Sequence, residues 1–231
     1  MHHSENLWFE YSFKIQDKKP IKFQITLDPD TLDYLPNGVP ETAAWAKLEN
    51  EKCENCPLNA EDNPYCPIAL NLVNILPEFS QIVSYQETKV SILTPQRKYS
   101  ANTTLQHGLG SMLGIYMVTS GCPVMAKLKP MVRYHLPFAT VEETVFRAAS
   151  TYLLGQYFNH AKGEQADWEF KGLIKIYEEV QKVNMSMAER LRSIPAKDAN
   201  INALIVLDVF AKELPFNIEM NLKDLEYLFK Q

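Results

Sequence analysis

Two stretches of two-residue alternation constrain the fold of this chain most. Ile21-Lys22-Phe23-Gln24-Ile25-Thr26-Leu27 alternates cleanly, so an extended strand here carries all its apolar side chains on one face. Leu7 to Ile15 alternates in part, and Asp17-Lys18-Lys19-Pro20 supplies the turn between the two. The result is a β-hairpin with one face to bury, and some other part of the chain must cover it. Val83 to Leu93 has the same partial alternation, Thr94-Pro95-Gln96 turns the chain, and Arg97-Lys98-Tyr99 leaves the turn. This second hairpin is expected to join the first in a small antiparallel sheet.

From Asn102 the period changes to that of helices. A helix is predicted over about 103–119, with Gly110 and Gly114 four apart so that another backbone can pack closely. Residues 120–138 carry Pro123, Pro130 and Pro137 and read as an irregular crossing. Thr140-Val-Glu-Glu143 is a capping box, opening a helix to about Phe158 with Phe146, Ala149, Leu153 and Tyr157 as its stripe. Glu143 and Arg147 form a favourable i,i+4 pair. Asp167 caps a further helix with the stripe Phe170, Leu173, Tyr177 and Val180, and Ser186-Met-Ala-Glu189 predicts a break near Asn184. An apolar helix over about 199–213 and a short last helix opened by Asn221 or Asp224 complete the half. Upstream, helices are expected over 41–51 and from Pro67 to about Leu76. The fold class is therefore α+β: a small antiparallel sheet of two hairpins packed with a mostly helical C-terminal half. The expected organisation is a single domain, 1–231, with the hairpins and a Cys-rich loop in 1–101 and the helical half in 102–231.

At 231 residues and 46% hydrophobic content the chain can bury a sizeable core. A net charge of -5, without a dense run of Lys and Arg, argues against nucleic acid. The longest apolar stretch, Gly108 to Val118, falls short of the roughly 20 residues that span a bilayer. Residues 1–20 show no signal-peptide pattern, so a cytoplasmic protein is expected, in a compartment that keeps thiols reduced. A protein partner is compatible with this composition, and the oligomeric state is open.

The chemistry is concentrated in the cysteines. Their spacing is Cys53-x2-Cys56-x9-Cys66-x55-Cys122, and Cys56, Cys66 and Cys122 are each followed by proline. A C-x-x-C turn can present two thiolates to one metal ion at about 2.3 Å each. The loop can bring Cys66 back, and Cys66 near a helix N-terminus would gain thiolate character. Cys122 would have to arrive from the helical half, making a metal the staple between halves. Four thiolates suit zinc, and equally an iron–sulfur cluster. The same residues are compatible with small buried hydrophobes or with a redox dithiol at Cys53 and Cys56.

A second reading makes the protein a cysteine-dependent enzyme, with Cys122 as nucleophile and His107 or His135 as base. A third makes it a metal-free interaction module. Arg133 and Arg147 could bind an anion at the start of the 141–158 helix, or pair with Glu142, Glu143 or carbonyls. Phosphate-loop, dinucleotide and H-E-x-x-H motifs are absent.

Several short runs together resemble a family of uncharacterised bacterial proteins: Cys53-Glu-Asn-Cys56-Pro-Leu, Tyr65-Cys66-Pro, Thr103-Thr104-Leu-Gln106, Ser120-Gly-Cys122-Pro, Arg133-Tyr-His135-Leu-Pro137-Phe and Asp198-Ala-Asn200. The resemblance covers most of the chain. It implies a free-standing bacterial cytoplasmic protein and brings no activity with it.

Overall fold

The alternating stretches pair as their pattern requires. In the computed structural model, which describes residues 7–16, 18–38, 41–194, 207–208, 211 and 222–230, β1 (Leu7–Lys14) and β2 (Ile21–Leu27) are antiparallel, with Phe9 opposite Ile25 and Phe13 opposite Ile21. β3 (Glu87–Leu93) and β4 (Lys98–Thr104) form the second hairpin. β1 also pairs with β3, Phe13 facing Val90, so the strand order is β2-β1-β3-β4. The two hairpins thus share one sheet through their first strands. Tyr11, Phe13, Ile25, Val90 and Ile92 lie on one face of it and are fully buried.

Helix α2 (Leu105–Val118) follows β4 directly and packs against β1, β3 and β4. The close approach is made at Gly108. A Cβ there would stand 2.7 Å from Val90 Cγ2 and 3.1 Å from Phe13 Cε1. Gly110 and Gly114, the expected contact pair, instead line a cavity on the other side of the helix. The remaining α-helices among the described residues are α1 (Pro67–Leu72), α3 (Lys129–Arg133), α4 (Val141–Ala161) and α5 (Lys171–Arg192). Short 3₁₀ helices cover Ala44–Ala46, Leu76–Phe79, Met125–Leu128 and Leu222–Phe229. One cluster of buried residues runs from Leu7 in β1 through α2 to Leu191 in α5.

Four expectations are corrected. The helix over 41–51 shrinks to one 3₁₀ turn, because the carbonyls of Trp45, Lys47 and Leu48 bond to Arg190 rather than along a helix. The break near Asn184 does not occur. α5 runs unbroken through Ser186, since Val183, Met187, Ala188 and Leu191 continue its buried face and packing overrides the capping pattern. α4 has its capping box at Thr140, but it buries Val145, Ala148 and Ala149, leaving Phe146 41% and Tyr157 56% exposed. Its small residues set the contact with α3 and α5 rather than its large ones. A short α3 forms inside the irregular 120–138 crossing because Pro130 sits in its first turn, where no backbone donor is needed. The predicted 199–213 helix lies mostly outside the described residues, as does Asn221. Among the described residues no helix is long and apolar enough to cross a membrane.

Two glycine substitutions should differ in sign. Gly108→Ala forces Val90 or Phe13 to move and is expected to lower stability by about 1–2 kcal/mol, the overpacking cost exceeding the gain in helix propensity. Gly155, exposed in α4 with no atom within 4 Å of an added Cβ, should gain about 1 kcal/mol as alanine. Urea unfolding of both variants measures the difference.

Candidate functional site

The segment leading into the cysteines is held by hydrogen bonds rather than by regular structure. Leu48 N–H donates to Pro64 O at 3.0 Å and Cys66 N–H to Ala46 O at 2.8 Å, so residues 46–48 and 64–66 form a short antiparallel bridge. Arg190 of α5, 1% exposed, donates through Nη1 to Trp45 O (2.7 Å) and Lys47 O (2.6 Å) and through Nη2 to Leu48 O (3.3 Å). The same helix grips the cysteine turn itself. Asn55 Nδ2 donates to the Glu179 carbonyl and carboxylate, Lys182 pairs with Glu54 at 3.1 Å, and the Ser186 hydroxyl is near enough to the Cys53 thiol to favour its thiolate. Residues 179, 182, 186 and 190 recur at helical spacing, so one stripe of α5 carries the whole loop.

The four predicted ligands come from three places. Cys53 and Cys56 close a turn, Cys56 N–H donating to Cys53 O. Cys66 is the N-cap of α1, with Pro67 at the first helical position as expected. Cys122 lies in the turn after α2. Cys53 is within electrostatic reach of Cys56, Cys66 and Cys122, and Cys122 is within reach of Cys56 and Cys66. Burial pushes the Cys53 thiol up to about 11, against the Ser186 hydroxyl, which favours the thiolate. Burial raises Cys122 as well, opposed by backbone hydrogen bonds from Met125 and Val124. All four cysteines are free thiols. Among the described residues no three His, Cys, Asp or Glu side chains are gathered closely enough to hold a metal ion as they stand.

The two histidines sit elsewhere. His107, exposed on α2, and His135, just after α3, both line a cavity of about 310 Å³ that no cysteine lines. His135 Nε2 bonds Tyr11 Oη at 2.7 Å and lies 3.3 Å from Ser111 Oγ, which is itself 3.0 Å from Tyr11 Oη. Phe9 packs edge-on against its ring. Burial, helped by the positive charge of Arg147, pushes His135 down to about 3. It is neutral at any ordinary pH and a weak base. Arg147 bonds the carbonyls of Met131 and Tyr134, while Glu143 caps the Thr140 N–H instead of pairing with it.

Sequence reasoning missed Arg190, Tyr11 and Asn184. Arg190 did leave a signal, since it follows Val183 and Met187 at core spacing on α5, where a charge needs a special partner.

Together the sheet, the helical half and the thiol loop define an α+β protein with a cysteine-rich clasp. The chain belongs to the DUF6901 family, a domain of unknown function, whose model matches residues 9–230. The matched span contains both hairpins, the four cysteines and α5. No curated protein and no solved structure matches the chain.

Arg190→Met should lower stability by at least about 3 kcal/mol, because several buried carbonyls lose a charged donor. Arg192→Met, which removes only a surface pair with Glu189, should change it by less than about 1 kcal/mol. Chemical unfolding compares them. His135 predicts an acid-side loss. The unfolded chain takes up a proton near pH 6.5 and the folded ring does so only near 3. Its contribution is therefore complete above about pH 6.5 and declines as pH falls toward 3, by about 2 kcal/mol at pH 5. His135→Gln should flatten that part of the stability–pH curve, measured as the difference from the parent protein.

Proposed function

We propose that Cys53, Cys56, Cys66 and Cys122 hold one thiophilic metal centre, zinc or an iron–sulfur cluster, and that it clasps the helical half to the sheet half. The role is structural or regulatory metal binding, in a reducing cytoplasmic setting. The observation that carries this reading is the mutual electrostatic reach of the four thiols, although Cys122 is remote in sequence from the other three. Packing alone has no need to bring the remote Cys122 within electrostatic reach of the cysteine loop.

The environment of the thiols supports the same reading. Raised thiols are poor nucleophiles, which disfavours a reactive cysteine. A coordinated metal reverses the balance, because its charge deprotonates a ligating thiol outright. The amides at Cys122 and the Ser186 hydroxyl at Cys53 would then face thiolates, the charge state their donors favour. One zinc ion needs the sulfurs drawn to about 2.3 Å from a common centre. A cluster accepts a wider cage, which asks less movement of thiols that do not yet stand at single-ion spacing.

Protein purified without oxygen should contain one metal centre per chain by elemental analysis. A brown solution with about four irons identifies a cluster, and a colourless one with stoichiometric zinc identifies zinc. Neither metal above background overturns the proposal. Cys122→Ser should lose the metal together with at least about 3 kcal/mol of stability. A metal-free module would lose far less, because its cysteines would serve as packing alone.

A further inference from the structure

The cavity of about 310 Å³ between α2, α3, α4 and α5 holds three polar groups that the fold leaves underused. Asn184, 2% exposed, has a side-chain oxygen with no hydrogen-bond partner. A buried amide left so costs the fold free energy unless something else satisfies it. Tyr177, 4% exposed, gives its hydroxyl to the Met131 thioether at 3.3 Å, a weak acceptor. Arg147 uses Nη2 on the Met131 and Tyr134 carbonyls, and no carboxylate lies within ion-pair distance of it among the described residues. Tyr177 and Arg147 are near enough to influence each other's titration. Among the described residues no Asp or Glu lines the cavity, and His135 in its wall is neutral.

The arrangement is polar at two ends and apolar between them. Tyr177, Val180 and Asn184 follow one stripe of α5, and the seven helical steps from Tyr177 to Asn184 span about 10 Å. Ile115, Met125, Leu128 and Val132 supply apolar walls. His107, exposed, marks the mouth. The volume is at the small end of ligand pockets and suits roughly a dozen to fifteen non-hydrogen atoms.

We propose that this cavity binds a small, mainly apolar carboxylic acid bearing a hydroxyl or N–H group at the end remote from its carboxylate. Tyr177 and Arg147 receive the carboxylate, which gives the guanidinium the direct ion pair that Glu143, acting on it only through space, does not make. The apolar body lies over Val180, and the remote donor satisfies Asn184. None of the four cysteines lines this cavity. The proposal and the metal reading therefore stand or fall separately.

Calorimetric titration of the full chain with ω-hydroxydecanoate, decanoate and decanediol tests it. The hydroxy acid should bind tightest, decanoate about fivefold more weakly for want of one hydrogen bond, and the diol at least about tenfold more weakly. Asn184→Leu should bring the two acids to equal affinity without lowering Tm, since it removes an unsatisfied buried group. Tyr177→Phe, which deletes one hydroxyl, should weaken both acids about fivefold and leave the diol unchanged. Absence of saturable binding of either acid at about 1 mM overturns the proposal, as does a diol that binds as tightly as the acids.

Discussion

The structure turns on the guanidinium of Arg190. A charge taken out of water is costly unless hydrogen bonds replace its hydration. Here the replacement comes from main-chain carbonyls of a segment that one 3₁₀ turn and a short bridge only partly bond. Each side solves the other's difficulty. The Leu48 carbonyl would lose its donor without the arginine, those of Trp45 and Lys47 would keep only the single bond each takes from Asn50, and the arginine would be a buried cation without them. No lysine could substitute, because only the planar fork presents several N–H donors in fixed directions. This exchange decides where the chain goes next. Residues 45–51 are pinned to α5 and so deliver Cys53 to Ser186, four residues back along the same helix.

The thiols follow the opposite logic. Arg190 meets many acceptors, whereas no cation among the described residues acts on the Cys53 and Cys122 thiols. Burial and the neighbouring sulfurs both hold Cys53 in its neutral form. Whatever charge this group of thiols carries must be supplied from outside the protein fold. Disulfide chemistry would remove the thiols in pairs, whereas all four are free. A soft cation, as proposed, would use all four at once.

The sheet was legible because period-two alternation has only one structural reading when flanked by turn residues, as at Ile21–Leu27. Pro67 and Thr140 likewise fixed the starts of α1 and α4 by local chemistry that does not depend on the rest of the fold. The failures share a different cause. Ser186-Met-Ala-Glu189 is a valid cap in isolation, and only the burial of Met187 and Leu191 against the core keeps α5 running through it. On α4 the choice between Phe146 and Val145 as the buried position depends on how closely α3 and α5 approach, which no local pattern encodes. The spacing of the cysteines was readable, but the electrostatic reach of Cys122 to the loop depends on the path of α2. The cavity was invisible altogether, since its walls come from α2, α3, α4 and α5 at once.

Two polar groups of the interior show why burial alone does not mark a functional site. Tyr11, Ser111 and His135 form a closed set in which every distance is that of a hydrogen bond or close to it, and the histidine is held neutral. Nothing there asks for a further partner, and a base with so low a pKa would abstract few protons. Tyr177, Arg147 and Asn184 share the same cavity but are left with a thioether, two carbonyls and an unpartnered amide oxygen. The first set can be explained by stability, because its polar atoms satisfy one another. The second cannot, because an apolar residue at position 184 would serve the fold better. An unsatisfied amide at one end of the cavity and a guanidinium without an ion pair at the other are what the proposed ligand would satisfy.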